Sequence, residues 1–207
     1  TRKESSAASD VYKRQGLRRV IAIAGPPGSG KSTLAKDLVP LITQAGAIAQ
    51  VVPMDGFHLD NRILIERNLI QFKGSPSTFD VRGFIEIISR LSNEPEIIFP
   101  KFDRDKDLAV AGAGFVSETC DLVLVEGNYL LLDAPLWRDL WKYWDFSVFL
   151  DVEKSILRER LMQRWLNQRL SLDQAKKRLK DNDFVNLETV VRDSSVADFI
   201  YVNSGLA

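Results

Sequence analysis

Gly25-Pro26-Pro27-Gly28-Ser29-Gly30-Lys31-Ser32-Thr33 satisfies every fixed position of the pattern G-x-x-x-x-G-K-[ST]. The apolar run Val20–Ala24 before it reads as a buried strand, and Leu34–Val39 after it reads as a helix. Strand, glycine loop and helix in that order is the context in which the pattern forms a phosphate-binding loop. Glycines let the chain turn tightly, so that successive N–H groups converge on an anion, and the helix start adds partial positive charge at the same place. Gly25 through Thr33 is therefore the expected nucleotide cradle. Lys31 is expected to reach the β- and γ-phosphates and the Ser32 hydroxyl to hold Mg²⁺, which makes ATP and Mg²⁺ the expected cofactors.

Outward from this loop, strand-like and helix-like runs alternate. Strands are expected at Val20–Ala24, Ala47–Val52, Glu96–Phe99, Asp121–Val125, Phe146–Leu150 and Asp198–Val202. Helices are expected from Lys31 to near Gly46 and over Val81–Leu91, Pro135–Trp144, Glu153–Gln168 and Leu172–Leu179. Alternation of this kind predicts an α/β fold of three layers, a parallel five-stranded sheet with helices on both faces. The polar chemistry follows the apolar runs: the glycine loop, then Asp55, then Lys101–Arg104, then Glu126, then Asp151. Parallel sheets bind ligands at that edge.

Composition narrows the classes. The 207 residues carry 28 basic and 28 acidic side chains, so no net charge calls for nucleic acid or an anionic membrane as main partner. Arg18-Arg19 and Lys176-Lys177-Arg178 read as solvated basic faces. No apolar run has the length of a membrane span. The single cysteine, Cys120, excludes an internal disulfide framework and fits a cytoplasmic location, and it is expected as buried packing. Tryptophans at 137, 141, 144 and 165 are compatible with a homodimer. Residues 1–16 are polar and aperiodic and read as a disordered tail. Asp10–Gln15 also resembles a translated sequencing-library adapter, so the segment is set aside as a candidate artefact and the domain is taken as 17–207.

Phosphoryl transfer needs more than a cradle. Asp55 follows the second strand, and Gly56 lets the backbone approach a ligand; a carboxylate there can take the proton of a substrate hydroxyl. Glu126 ends the Asp121–Val125 strand, in position to hold Mg²⁺ through water or to contact substrate. His58 is the only histidine, which rules out a multi-histidine zinc site and leaves a substrate contact or a packed loop residue. Arg160 and Arg164 share a face of the Glu153–Gln168 helix, which can close over a phosphoryl group in transfer.

The set resembles the uridine kinase, phosphoribulokinase and pantothenate kinase group of P-loop kinases. Met54-Asp55-Gly56-Phe57 is similar to their Asp-x-Phe element, Ser75–Asp80 to their Pro-x-x-Phe-Asp segment, and Pro100–Asp103 to their Pro-x-Tyr-Asp loop. Glu126-Gly127 resembles their Glu-Gly after the Walker B strand, and Ala197–Ile200 the run before their last strand. Met54–Asn61, Phe102–Arg104 and Glu126–Leu131 together look closest to a bacterial fructokinase-like, fructose-transport-associated subgroup. The histidine that uridine kinases carry after Tyr-Asp-Phe has no counterpart in Arg104–Asp107, which speaks against a pyrimidine acceptor.

The resemblance implies an ATP-dependent kinase acting on a hydroxyl of a small, sugar-like metabolite. Asp55 would be the base, Lys31, Arg160 and Arg164 would stabilise the transferred charge, and Ser32 and Glu126 would lie at the metal. Asp55, His58, Asp80, Phe102, Asp103, Arg104 and Glu126 would line the acceptor pocket. A uridine, nucleoside or pantothenate kinase is the alternative of the same class. A P-loop regulatory ATPase is the alternative of another.

Overall fold

The computed structural model describes residues 18–202, so the expectation of a tail over 1–16 lies outside the described residues. Five strands form one parallel sheet: β1 (Arg19–Ala24), β2 (Ala49–Pro53), β5 (Leu122–Gly127), β6 (Phe146–Asp151) and β7 (Phe199–Val202), in the order β2-β5-β1-β6-β7. Alternation sets the layers. Val20, Ala22 and Ala24 of β1 and Val123 and Val125 of β5 face one side, packing with Val81, Phe84 and Ile88 of helix α3 (Val81–Arg90). Ile21, Ile23, Leu122 and Leu124 face the other and meet Leu34, Ala35, Leu38 and Ile42 of α1 (Lys31–Gln44). The expected α/β fold and its parallel five-stranded sheet are what the structure contains.

One expected strand belongs elsewhere. The run assigned to Glu96–Phe99 continues through Pro100 as β3 (Ile97–Asp103) and pairs antiparallel with β4 (Leu108–Val116) in a separate two-stranded hairpin. The register shifts between Phe99 and Lys101 around the proline, which a narrow ribbon tolerates because Pro100 has no N–H to pair. The hairpin crosses the turn after β2 at very close range: a Cβ on Gly56 would lie 2.0 Å from the Pro100 carbonyl oxygen. Only glycine fits there.

Other departures have local causes. Pro135–Trp144 was expected as an α-helix, but Leu136 sits at φ 69° and the segment is a 3-10 turn over Trp137–Tyr143. Short helix α2 (Asn61–Glu66) was not anticipated. Beyond α4 (Lys154–Asn167) and α5 (Leu172–Arg178), the chain does not stop at Leu179. It continues through a π-helical turn, Leu179–Asp183, into α6 (Phe184–Asp193). Leu161, Trp165, Ala175 and Leu179 give the α4–α5 unit a small core of its own. Trp137 and Trp165 are buried within the chain, so they offer no face to a second copy.

Arg18 is a correction with an energetic consequence. It is 3% exposed, not solvated. Its guanidinium donates to the carbonyls of Leu91 (2.8 Å), Glu94 (2.9 Å), Pro95 (2.6 Å), Ser117 (3.2 Å) and Cys120 (3.4 Å), tying the end of α3 to the loop before β5. Arg18→Met is expected to strand several of these acceptors and to lower stability by roughly 2–4 kcal/mol, read as a fall in the urea midpoint. An unchanged midpoint would show that water replaces the guanidinium freely. Cys120 is buried packing, and burial pushes its thiol up. No helix among the described residues is long and apolar enough to cross a membrane.

Candidate active site

Strand register brings the site together. Ala24, where β1 ends and the glycine loop begins, is level with Gly127, and Ile23 is level with Glu126 on one side while Pro53 is level with it on the other. Asp55 follows Pro53 by two residues, in a 3-10 turn over Met54–Phe57. Loop, Glu126 and Asp55 therefore stand side by side at the carboxyl ends of three neighbouring strands. All three line one cleft of about 780 Å³.

The loop has the backbone its sequence requires. Gly25, Gly28 and Gly30 adopt φ of 151°, 80° and 94°, the last as the residue preceding α1. A Cβ on Gly25 would meet the Leu150 carbonyl oxygen at 2.9 Å, and one on Gly28 would meet Leu161 of α4 at 3.1 Å. Helix α4 therefore lies directly on the loop, and Arg160 donates to the Gly28 carbonyl at 3.4 Å. Arg160 and Arg164 both line the cleft.

Lys31 is buried and folded back, its Nζ donating to the Pro26 carbonyl (2.9 Å) and to Ser29 Oγ (3.3 Å). Burial lowers its pKa to about 8, against the opposing pull of Glu126 and Asp55. Burial raises Glu126, helped by the neighbouring Asp55 charge, while Lys31 and the Ser32 hydroxyl pull it down. A buried ammonium on the glycine loop, with no carboxylate bonded to it among the described residues, suits a polyphosphate. One hydroxyl and one carboxylate at its edge suit Mg²⁺, which keeps most of its ligands as water and phosphate oxygen. Among the described residues no group of three or more His, Cys, Asp and Glu side chains gathers as a self-sufficient metal nest.

On the acceptor side, Asp55 Oδ2 is held by Arg104 Nη2 at 2.7 Å. His58 packs between Phe79 and Phe102, with ring centroids 4.1 and 4.7 Å away. Its Nδ1 lies 2.7 Å from the Asp55 carbonyl, which can only accept, so Nδ1 carries the proton. Burial lowers the His58 pKa below its usual value. The unfolded chain then takes up a proton near pH 6.5 that the fold resists, so stability falls as pH drops below about 6.5 until the folded histidine itself protonates. The difference in Tm between the parent and His58→Gln is expected to shrink from pH 7.5 to pH 5; a constant difference would mean that His58 does not titrate differently on folding.

Two expected acceptor residues lie outside the cleft. Asp80 accepts from the Gly83 N–H at 2.9 Å as the N-cap of α3. Asp103 accepts from the N–H groups of Asp105 and Lys106, both at 3.1 Å, and closes the hairpin turn. The cleft is instead completed by residues the sequence reading missed. Lys73, buried, pairs with Asp107 Oδ2 at 2.9 Å and donates to Asn61 Oδ1 at 2.7 Å. Asn182 donates to the Lys73 carbonyl (2.8 Å) and accepts from Asn186 (2.9 Å). Arg178, read as solvated, stacks on Trp165 with its guanidinium 4.4 Å from the ring centroid, and Trp165 donates to Asp183 at 2.6 Å. The four-residue spacing of Arg178, Asn182 and Asn186 was the one available signal, a polar stripe along a helix.

A glycine loop following β1, closed in by acidic groups at the ends of β2 and β5, defines the class as P-loop phosphotransferase. Residues 20–186 match the Phosphoribulokinase / Uridine kinase family, and the chain belongs to it. Its kind of enzyme is thus a kinase that passes phosphate to a hydroxyl of a small molecule. The uncharacterized protein YggC of Escherichia coli is 39% identical over 185 residues, 88% of this chain and 77% of that protein. The pantothenate kinase of Ligilactobacillus salivarius is 30% identical over 156 residues, 74% of this chain and 51% of that enzyme, so the likeness spans about half its length. Among solved structures, a "putative fructose transport system kinase" from Silicibacter sp. TM1040 superposes with TM-score 0.89 at 44% identity, covering 95% of this chain and 96% of that one.

Proposed function

We propose that the protein transfers the γ-phosphoryl group of ATP to a hydroxyl of a sugar-like metabolite. The observation that carries this reading is the shared cleft, in which Asp55 and Glu126 stand beside the glycine loop and the hydrogen-bonding groups of Lys73, Asp107, Asn182 and Asn186 line the same space. A polyhydroxylated acceptor matches such a lining, and the description of the Silicibacter neighbour agrees with it.

In this reading the loop amides and Lys31 bind the triphosphate, and Asp55 orients the acceptor hydroxyl and takes its proton as the new O–P bond forms. Arg160, already bonded to the loop, and Arg164, lining the same cleft, offset the charge on the moving phosphoryl group. Ser32, with Glu126 beside it, would hold Mg²⁺, which when bound would neutralise phosphate charge. Phe102 and His58 form the side wall of the acceptor pocket.

A nucleoside acceptor is the second reading, favoured by the aromatic wall of Phe79, His58 and Phe102, on which a base can stack. Incubating the protein with ATP, Mg²⁺ and a panel of sugars, polyols, nucleosides and pantothenate separates these. Phosphorylated product is expected from the carbohydrate members. Product from nucleosides alone would replace this reading by the second.

A further inference from the structure

We propose that Arg104 selects an acceptor that carries an oxyanion, a carboxylate or a phosphate, near the hydroxyl that is phosphorylated. This rests on the kinase reading of the same cleft and narrows its substrate class.

One of the two carboxylate oxygens of the proposed base already holds a cation. Arg104 Nη2 sits on Asp55 Oδ2 at 2.7 Å, and both side chains line the cleft. The contact joins two well-anchored parts. The turn bearing Asp55 is clamped under the hairpin where Gly56 meets Pro100. The hairpin tip bearing Arg104 is tied down by Lys73 to Asp107, by Asn61 to Asp107 and by the Asp103 turn. What can move is the Arg104 side chain, which is half exposed. Within the main cleft Arg104 also feels Glu126, but away from it a second opening of about 620 Å³ is lined by Arg104, Arg160, Gln163, Arg164, Asn167 and Gln168, with no carboxylate among them.

A guanidinium on Asp55 lowers the basicity of the whole carboxylate, and a neutral alcohol gives that guanidinium no other anion to move to. An acceptor with its own oxyanion offers a bidentate replacement. Arg104 then moves from Asp55 Oδ2 to the substrate anion and leaves Oδ2 free. The hydroxyl proton passes to Asp55, the acceptor oxygen bonds to the γ-phosphorus, and the bond from that phosphorus to the bridging oxygen breaks, its electron pair leaving with ADP. Without such an acceptor the pair stays closed, which also keeps Asp55 from activating water against bound ATP.

The test uses matched triplets, each a neutral polyol or sugar, its aldonic acid and its monophosphate, with ATP and Mg²⁺, and follows both ADP and phosphorylated product. The parent enzyme is expected to show kcat/KM about 10²-fold higher for at least one anionic member than for the neutral one. The two anionic arms tell carboxylate from phosphate. Arg104→Gln is expected to bring that ratio within about threefold and to raise acceptor-free ATP hydrolysis about tenfold, a rise that Asp55→Asn/Arg104→Gln abolishes. Arg104→Lys, which keeps the charge but not the fork, is expected to retain part of the preference. Neutral members used as well as anionic ones by the parent would overturn the proposal and leave the kinase reading standing. So would an Arg104→Gln enzyme that keeps the preference and only raises KM for ATP, since Arg104 would then be a nucleotide ligand. No phosphorylated product in any arm would overturn both.

Discussion

An Asp55→Asn enzyme binds ATP as the parent does and turns over about 10²–10⁴-fold more slowly. Asparagine has the shape of aspartate but does not take a proton, and its amide has no charge to hold Arg104. Asp55 stands on the β2 side of the cleft, and the loop that holds phosphate leads from β1 into α1, so removing one carboxylate charge leaves the cradle intact. The measurement is a pair: ATP titration by calorimetry, and steady-state turnover with an acceptor drawn from the panel. Turnover equal to the parent's would take Asp55 out of the chemistry. A loss of ATP affinity matching the loss of rate would move it into the nucleotide site.

Lys31→Met produces the complementary pattern. Its ammonium is buried against Pro26 and Ser29, with Glu126 and Asp55 as the nearest negative influences, and burial brings its pKa to about 8. Because the fold disfavours the charged form, the folded chain sheds this proton at lower pH than the unfolded chain does. The cost is carried in full below about pH 8 and fades as pH rises toward the unfolded value. Deleting the amine is therefore expected to leave the Tm of the nucleotide-free protein unchanged or raised at pH 7. The same deletion removes charge-assisted bonds to phosphate and is expected to weaken ATP binding by about 10²-fold. A lower Tm would mean that the amine holds the loop together, and parental affinity would contradict its place in the cradle.

Those two residues mark where the sequence was most readable. The glycine loop announces itself because a pattern, a strand and a helix coincide, and Glu126 is found by following one apolar run to its end. The main sheet was legible for the same reason: buried parallel strands are nearly continuous runs of Val, Ile and Leu. The hairpin was not. Ala-Val-Ala-Gly-Ala-Gly in β4 has too little bulk to alternate visibly, and Pro100 looks like a stop until the ribbon's open edge is seen. Asp80 and Asp103 looked like substrate groups because they sit in motifs, yet a carboxylate just before a helix, or two residues ahead of a free N–H, is claimed first by the backbone. Arg18 and Arg178 looked solvated because charge alone does not reveal five carbonyls waiting at 2.6–3.4 Å or a tryptophan face at 4.4 Å. Asn182 and Asp183 depend on a π-helical turn, whose extra residue shifts the phase of everything after it.

The off-sheet hairpin has an evolutionary corollary. Its tip belongs to a separate ribbon that meets the Asp55 turn at Gly56, while the nucleotide cradle follows β1 in the main sheet, so drift in the tip can retune diet while the fuel supply stays as it was. Lineages sharing this scaffold should then differ most along residues 101–110 and least along 25–33, and a graft of those ten residues would carry taste from one homologue to another.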